Sequence, residues 1–166
     1  MKPEFVIDIQ EESIDFPQEG LFVLLIFQHE VFPHLAILNE SKYWSLSLNK
    51  VHRAAPGKPK WNSFLRKNIP VVLVKIKASP DDEKGLLDAF ANTLPLRMNE
   101  QTCLSPVLQF FRIKSSADIQ AQVVTELLAQ LSDLSLLERC VALNLKSGPF
   151  SLPRYTRMDV LKSIRG

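Results

Sequence analysis

Hydrophobic and polar positions change their spacing near residue 78, and the first half of the chain has the pattern of β-strands. Short apolar runs alternate there with turn residues and predict strands at Phe5–Ile9, Leu21–Phe27, His34–Asn39, Tyr43–Leu48 and Pro70–Lys77. A hairpin turn is predicted at Asn39-Glu40-Ser41-Lys42. The last of these runs becomes polar on one face, which indicates an edge or half-exposed strand.

The second half has the pattern of helices. Ser79-Pro80-Asp81-Asp82-Glu83 is a helix start, with a capping serine, a proline at the first helical position and acidic residues near the positive end of the helix dipole. Helices are further predicted after Cys103, from Ser116 onward, at Leu136–Leu145 and at Arg157–Ile164. The chain of 166 residues therefore predicts one α+β domain, 1–166, with a β-rich part (1–78), a helix-rich part (79–166) and an antiparallel sheet packed against helices.

The stretch Lys50–Lys67 carries six basic residues and no acidic one, and Pro56, Gly57 and Pro59 predict a long loop. Two interpretations remain open. The loop is either a lid or anion-binding surface with Lys58, Lys60 and Trp61 as its contacts, or a solvated connection that aromatic side chains pin to the core. Most long loops are of the second kind.

Composition narrows the classes of function. A net charge of +2, from 20 basic and 18 acidic side chains, is too balanced to indicate a nucleic-acid partner. No apolar run is long enough to span a bilayer, no signal peptide is recognised, and two cysteines do not make a disulfide framework, so a cytoplasmic protein is expected. Three scattered histidines have no metal-ligand spacing, five glycines include no phosphate loop, and no Gly-x-Ser-x-Gly elbow occurs; neither a metal nor a cofactor is expected.

Cys103 is the strongest chemical feature, because it lies where a loop is predicted to become a helix. A helix N-terminus favours a thiolate and offers N–H groups to an oxyanion. His34, at the start of a predicted strand, is the candidate general base. A third, orienting group is sought among Ser45, Ser47 and Asn49, which share one strand face, or at His52; Ser47 is our choice.

The alternative is that both residues are structural, because a cysteine in an apolar context is usually a small core residue and a lone histidine beside a strand is usually structural. Cys140 is the internal comparison, since its predicted position is the middle of an apolar helix.

The order of these features resembles a known family. A strand, then His34-Leu35-Ala36-Ile37-Leu38, a hairpin, a strand, a helix and Asn99-Glu100-Gln101-Thr102-Cys103 is similar to the circularly permuted papain-like fold of NlpC-type hydrolases and lecithin:retinol acyltransferase-like proteins. The resemblance begins at Gln18-Glu19-Gly20-Leu21 and covers roughly residues 17–112. The chain departs from the family at Leu21, at Asn39-Glu40 and at Leu104-Ser105-Pro106.

The resemblance implies a papain-like architecture with extra C-terminal helices. It also implies cleavage of an amide or ester in a peptide or lipid through a thioester, with Cys103 as nucleophile and His34 as base. The rival hypothesis is a non-catalytic binding protein that uses the basic stretch 50–67 or the C-terminal helices as its surface. The leucines after residue 116 would then form a homo-oligomer interface or complete the core.

Overall fold

A seven-stranded sheet is the centre of the computed structural model, which describes residues 5–28, 32–98, 101–152 and 154–165. The strands are β1 (Phe5–Ile9), β2 (Glu11–Glu12), β3 (Leu21–Ile26), β4 (His34–Asn39), β5 (Lys42–Leu46), β6 (Val51–Pro56), β7 (Val71–Ile76), β8 (Leu137–Leu143) and β9 (Gly148–Leu152). The helices are α1 (Gly57–Arg66), α2 (Asp82–Phe90), α3 (Leu104–Ser115), α4 (Val124–Asp133) and α5 (Arg157–Arg165), and Leu96–Met98 is a short 3-10 helix.

The strand order of the main sheet is β2-β8-β7-β3-β4-β5-β6. Only the short β2–β8 pair is parallel among the strand pairs of the described residues, and β1 pairs with β9 in a separate antiparallel ribbon. The chain is therefore α+β, with a mostly antiparallel sheet packed against helices, which confirms the predicted class. None of the helices in the described ranges is long and apolar enough to cross a membrane.

Both faces of the sheet are covered by helices. On one face α2, α3 and α4 pack against side chains such as Val23, Leu35 and Val74. On the other face Trp61 and Phe64 of α1 pack against Leu24 and Leu38. Because β3 is covered on both sides, all six of its side chains are buried, which explains its unbroken apolar run.

The prediction that the strand at Pro70–Lys77 lies at an edge or is half exposed is wrong. β7 lies between β3 and β8, and five of its six residues are buried. Its half-exposed Lys75 forms an ion pair with Glu138 on β8 at 3.7 Å. The polar face of this strand is therefore one lysine with a partner on the neighbouring strand.

The prediction that Lys50–Lys67 is a loop is also wrong, because these residues form β6 and α1. Pro59 lies in the first turn of α1, where its missing N–H has no helical partner. Gly57 lets two segments approach closely, because an added Cβ would lie 2.6 Å from the carbonyl oxygen of Ser41. Trp61 is buried and its indole N–H donates to the Ile14 carbonyl at 3.0 Å, so this residue does pin the segment to the core.

The helix predicted at Leu136–Leu145 is a strand. β8 pairs antiparallel with β7, and half-buried Cys140 lies opposite Val74 rather than inside a helix. Two other boundaries differ: α2 ends at Phe90 instead of reaching Pro95, and α4 begins at Val124 instead of Ser116. Ser116 instead ends α3 in a left-handed conformation with φ 54°. The α4 leucines Leu127, Leu128 and Leu131 are buried in the core.

Candidate active site

A cavity of about 400 Å³ lies where the start of β4, the end of β5 and the start of α3 come together. It collects side chains that are far apart in the sequence. Its polar lining includes Cys103, His34, Tyr43, Ser45, Ser47, His52 and Lys60. Four of the six predicted site residues therefore line the same space: Cys103, His34, Ser47 and Lys60. A cavity of this size suits a small-molecule substrate.

Cys103 is the N-cap of α3, as the sequence predicts, but its own side chain does not cap the helix. The neighbouring residues satisfy each other instead: the Thr102 N–H donates to the Ser105 hydroxyl at 3.2 Å, and the Ser105 N–H donates to the Thr102 carbonyl at 3.0 Å. The backbone N–H groups of Cys103 and Leu104 lie close enough to the Cys103 sulfur to favour its ionised form. Pro106 lies in the first turn, where a helix tolerates it.

Burial raises the pKa of the Cys103 thiol. Backbone N–H groups of Leu35, Cys103 and Leu104 oppose that rise, because they would donate to a thiolate. The thiol is therefore the resting form of this residue near neutral pH. The same N–H groups would stabilise negative charge on the sulfur.

His34 is the first residue of β4 and lies opposite Ile26 of β3. Burial, followed by the positive charge of Lys60 and the proximity of His52, lowers the pKa of His34 to about 4. The imidazole is therefore neutral near pH 7, which is the form that accepts a proton. Leu35, the next residue, faces α3 on the opposite side of the sheet and supplies one of the N–H groups near the Cys103 sulfur.

Ser47 is predicted to orient His34, but no hydrogen bond between these two side chains is found in the described part of the chain. The Ser47 hydroxyl donates to the Lys50 carbonyl at 2.9 Å and so belongs to the turn between β5 and β6. Ser45 is buried and hydrogen bonds to Tyr43, whose pKa rises to about 12 mainly because of burial. Asn49 is exposed and does not line the cavity.

The three predicted anion-binding residues separate in the structure. Lys60 reaches the cavity, with its Nζ 5.6 Å from the centre of the Tyr43 ring, and the His52 ring packs edge-on to the same tyrosine. Lys58 is exposed and Trp61 is buried in the core, and neither lines the cavity. The helical geometry of α1 explains the separation, because residues two apart on a helix point in different directions.

Sequence reasoning missed two parts of the site. Tyr43 lies on the same strand face as Ser45 and Ser47, so period-two alternation was a signal that could have found it. The second part is α5, whose Val160 and Ile164 form an apolar wall of the cavity. No local signal points to this wall, because it depends on where the C-terminal helix packs.

No group of three histidine, cysteine or acidic side chains comes together as a metal site within the described ranges. Comparison with family models, with curated proteins and with solved structures gave no match to this chain.

Proposed function

We propose that this protein is a cysteine hydrolase or acyltransferase that cleaves an amide or ester bond at the cavity. One observation carries the proposal: a thiol at a helix N-terminus and a neutral imidazole, on elements distant in sequence, line one cavity with backbone N–H groups around the sulfur. The order of His34, the β4–β5 hairpin, α2 and Cys103 is also the order that the resemblance to permuted papain-like enzymes requires.

In this mechanism the Cys103 sulfur attacks the substrate carbonyl while the His34 imidazole accepts the thiol proton. The N–H groups of Cys103 and Leu104 stabilise the oxyanion. Collapse of the tetrahedral intermediate expels the amine or alcohol, which takes the proton back from His34, and leaves a thioester on Cys103. Water or a second acceptor then attacks the thioester, loses its proton through His34 and restores the thiol.

The directions of the two pKa shifts define the resting state. A preformed thiolate–imidazolium pair needs a lowered cysteine pKa and a raised histidine pKa. Here the pKa of Cys103 is raised and that of His34 falls to about 4, so the pair is a neutral thiol and a neutral imidazole. We expect general-base catalysis with activity retained down to about the pKa of His34. Thiolate absorbance in the ultraviolet at neutral pH would contradict this resting state.

The direct test is trapping of the acyl-enzyme. The native protein is incubated with p-nitrophenyl acetate and p-nitrophenyl decanoate, and the modified cysteine is located by peptide mass mapping. We expect a thioester on Cys103 and none on half-buried Cys140, which has a raised pKa but does not line the cavity. His34→Gln should slow acylation of Cys103 by at least about a hundredfold. Equal acylation of both cysteines, or no change in His34→Gln, would refute the proposal.

A second candidate is a non-catalytic binding protein. The Ser47 hydroxyl donates to the Lys50 carbonyl, and no hydrogen bond joins Ser47 to His34 among the described residues, which favours a ligand pocket over a complete catalytic triad. Such a protein would bind an ester or amide without forming a thioester. For either candidate we propose a reducing, cytoplasmic location, because both cysteines are free. An oligomer through the C-terminal helices stays a prediction.

A further inference from the structure

Lys60 is placed differently from the other partly buried lysines of the protein. Lys75 pairs with Glu138 and Lys114 with Asp82, whereas no carboxylate of the described residues lies within ion-pair distance of Lys60. Lys60 is neither fully solvated nor neutralised, and Tyr43 offers it only the face of its ring. An ammonium group in this position can gain a strong partner from a bound anion.

Lys60 is the one side chain that carries a formal charge near neutral pH among the described residues that line the cavity. No aspartate or glutamate is found among these described lining residues, and burial lowers the pKa values of the two lining histidines, His34 and His52, so that both are neutral near pH 7. Burial and then nearby Lys50 and Lys67 lower the pKa of Lys60, which is the effect expected where positive charge is not compensated. Positive potential focused in a cleft favours an anionic group on the ligand.

The rest of the cavity is apolar. Its walls include Ile26, Phe32, Leu96, Val160 and Ile164, which come from a strand, a loop, the 3-10 helix and α5. A ligand that fills the cavity must therefore present a hydrocarbon chain to these side chains and an anion to Lys60. Cys103 lines the same space, so a scissile bond of the ligand would also lie within the cavity.

We propose that the substrate is an acyl chain joined by an amide to a small carboxylate-bearing group, as in an N-acyl amino acid, with Lys60 binding the carboxylate. This inference rests on the proposed function for its scissile bond. The expected preference for an anionic, apolar ligand does not depend on that bond: it depends on Lys60 for the anion and on the apolar wall for the hydrocarbon chain. The chemistry is balanced as hydrolysis: the amide and one water give a fatty acid and an amino acid.

The test measures binding without turnover, in a Cys103→Ser background, by calorimetry. The probes are N-decanoylglycine and its neutral analogue N-decanoylglycinamide, which differ only in the charge of one terminal group. We expect the carboxylate to bind about tenfold more tightly, the effect of one charge-assisted hydrogen bond in a partly buried site. Lys60→Met should remove this preference without weakening binding of the amide, and Lys60→Arg should retain it.

Lys58→Met is the matched control, because Lys58 lies two residues away on α1, carries the same charge and is exposed outside the cavity. It should preserve the preference. Equal affinity for the two probes, or equal effects of the Lys58 and Lys60 substitutions, would overturn the inference. Tighter, Lys60-dependent binding of decyl phosphate than of N-decanoylglycine would also overturn it and would identify a phosphate ester as the ligand. Carboxylate-selective binding without any thioester in the trapping experiment would refute only the proposed function.

Discussion

The two faces of the central sheet each carry a lysine that is partly or fully removed from water, and the two lysines differ in whether a carboxylate lies beside them. On the face covered by α2 and α3, the Lys114 ammonium group lies 2.6 Å from an Asp82 carboxylate oxygen, and both side chains are almost fully buried. Asp82 also accepts hydrogen bonds from the backbone N–H and the hydroxyl of Ser79, so its oxygens are satisfied. On the α1 face, Lys60 has no such partner in the described part of the chain.

This difference separates a structural charge from a functional one. Removing a charge from water is costly, and a carboxylate partner with further hydrogen bonds offsets most of that cost. The Asp82–Lys114 pair is buried away from water, and it joins the start of α2 to α3. We call the side of the sheet covered by α2 and α3 the closed face. The cavity that Lys60 lines, by contrast, holds this lysine without a carboxylate partner among the described residues, which is the arrangement expected where a ligand completes the site. Substitutions on the two faces should therefore change different properties.

The largest effect is expected from Cys103→Ala, which removes the nucleophile from the cavity. We expect ester turnover, measured as p-nitrophenol release, to fall by about a thousandfold or more. The free energy of unfolding in urea should change far less, because Cys103 contributes one small, partly exposed side chain to the packing. Cys140→Ala is the matched control and should retain full turnover. A similar loss of turnover in both variants would show that the substitutions lower activity by destabilising the fold and not by removing a nucleophile.

The largest effect on stability is expected from Asp82→Asn on the closed face. The substitution leaves the Lys114 ammonium group buried beside a neutral amide, and we expect a loss of about 3 kcal/mol in the free energy of unfolding. Urea titration measures this loss. The double variant Asp82→Leu with Lys114→Met should recover much of it, because no charge then remains buried. If Asp82→Asn were as stable as the native protein, the pair would not be closed to water.

His34 links the cavity to the pH dependence of stability. Its pKa is about 4 in the folded protein and 6.5 in the unfolded chain, so between these values the unfolded state binds more protons. Stability is therefore lost as the pH falls from 6.5 to about 4, by about 3 kcal/mol in total. In His34→Gln this part of the loss should disappear from urea titrations across that range. His52→Gln should remove less, because His52 is only partly buried.

In the β-rich half the sequence predicts five strands, β1, β3, β4, β5 and β7, and misses β2 and β6. β4 is buried along nearly its whole length and β1 alternates between buried and exposed residues; both patterns are typical of strands, and both strands have the predicted bounds. The hairpin turn is also confirmed, with Glu40 and Ser41 in left-handed conformations. The predictions fail where periodicity does not decide between structures. Residues 136–145 are as apolar as a buried helix, and only their pairing with β7 makes them a strand.

The site could be predicted only in part, because its members are brought together by tertiary packing. Cys103 and His34 could be proposed from residue type and their positions at element starts. Lys60 lines the cavity and Lys58 does not because both lie on helix α1, and Pro56 and Pro59 led to the prediction of a loop instead of this helix. The contribution of α5 to the cavity depends on packing between distant parts of the chain. Ser47 has the right strand face, but the turn next to it uses its hydroxyl.

The smallest effect is expected from Thr156→Ala, which weakens the start of α5, the helix that forms the apolar wall. The Thr156 hydroxyl and the Asp159 carboxylate form a reciprocal cap, in which the Asp159 N–H donates to the hydroxyl at 3.2 Å and the Thr156 N–H donates to the carboxylate at 2.7 Å. Loss of the capping hydroxyl should cost the helix about 1 kcal/mol. Amide hydrogen exchange in α5 should then accelerate about fivefold, while exchange in β4 stays unchanged.

Thr156→Ser is the control for this variant, because serine keeps the hydroxyl and caps as well as threonine. Since Val160 and Ile164 line the cavity, loosening α5 should weaken binding of N-decanoylglycine more than that of N-acetylglycine, whose short chain does not reach far along an apolar wall. Equal effects on the two ligands would place the acyl chain away from α5. The Asp82–Lys114 pair should not be affected by loosening of α5. The loss in free energy of unfolding caused by Asp82→Asn, measured by urea titration, should therefore be the same with or without Thr156→Ala.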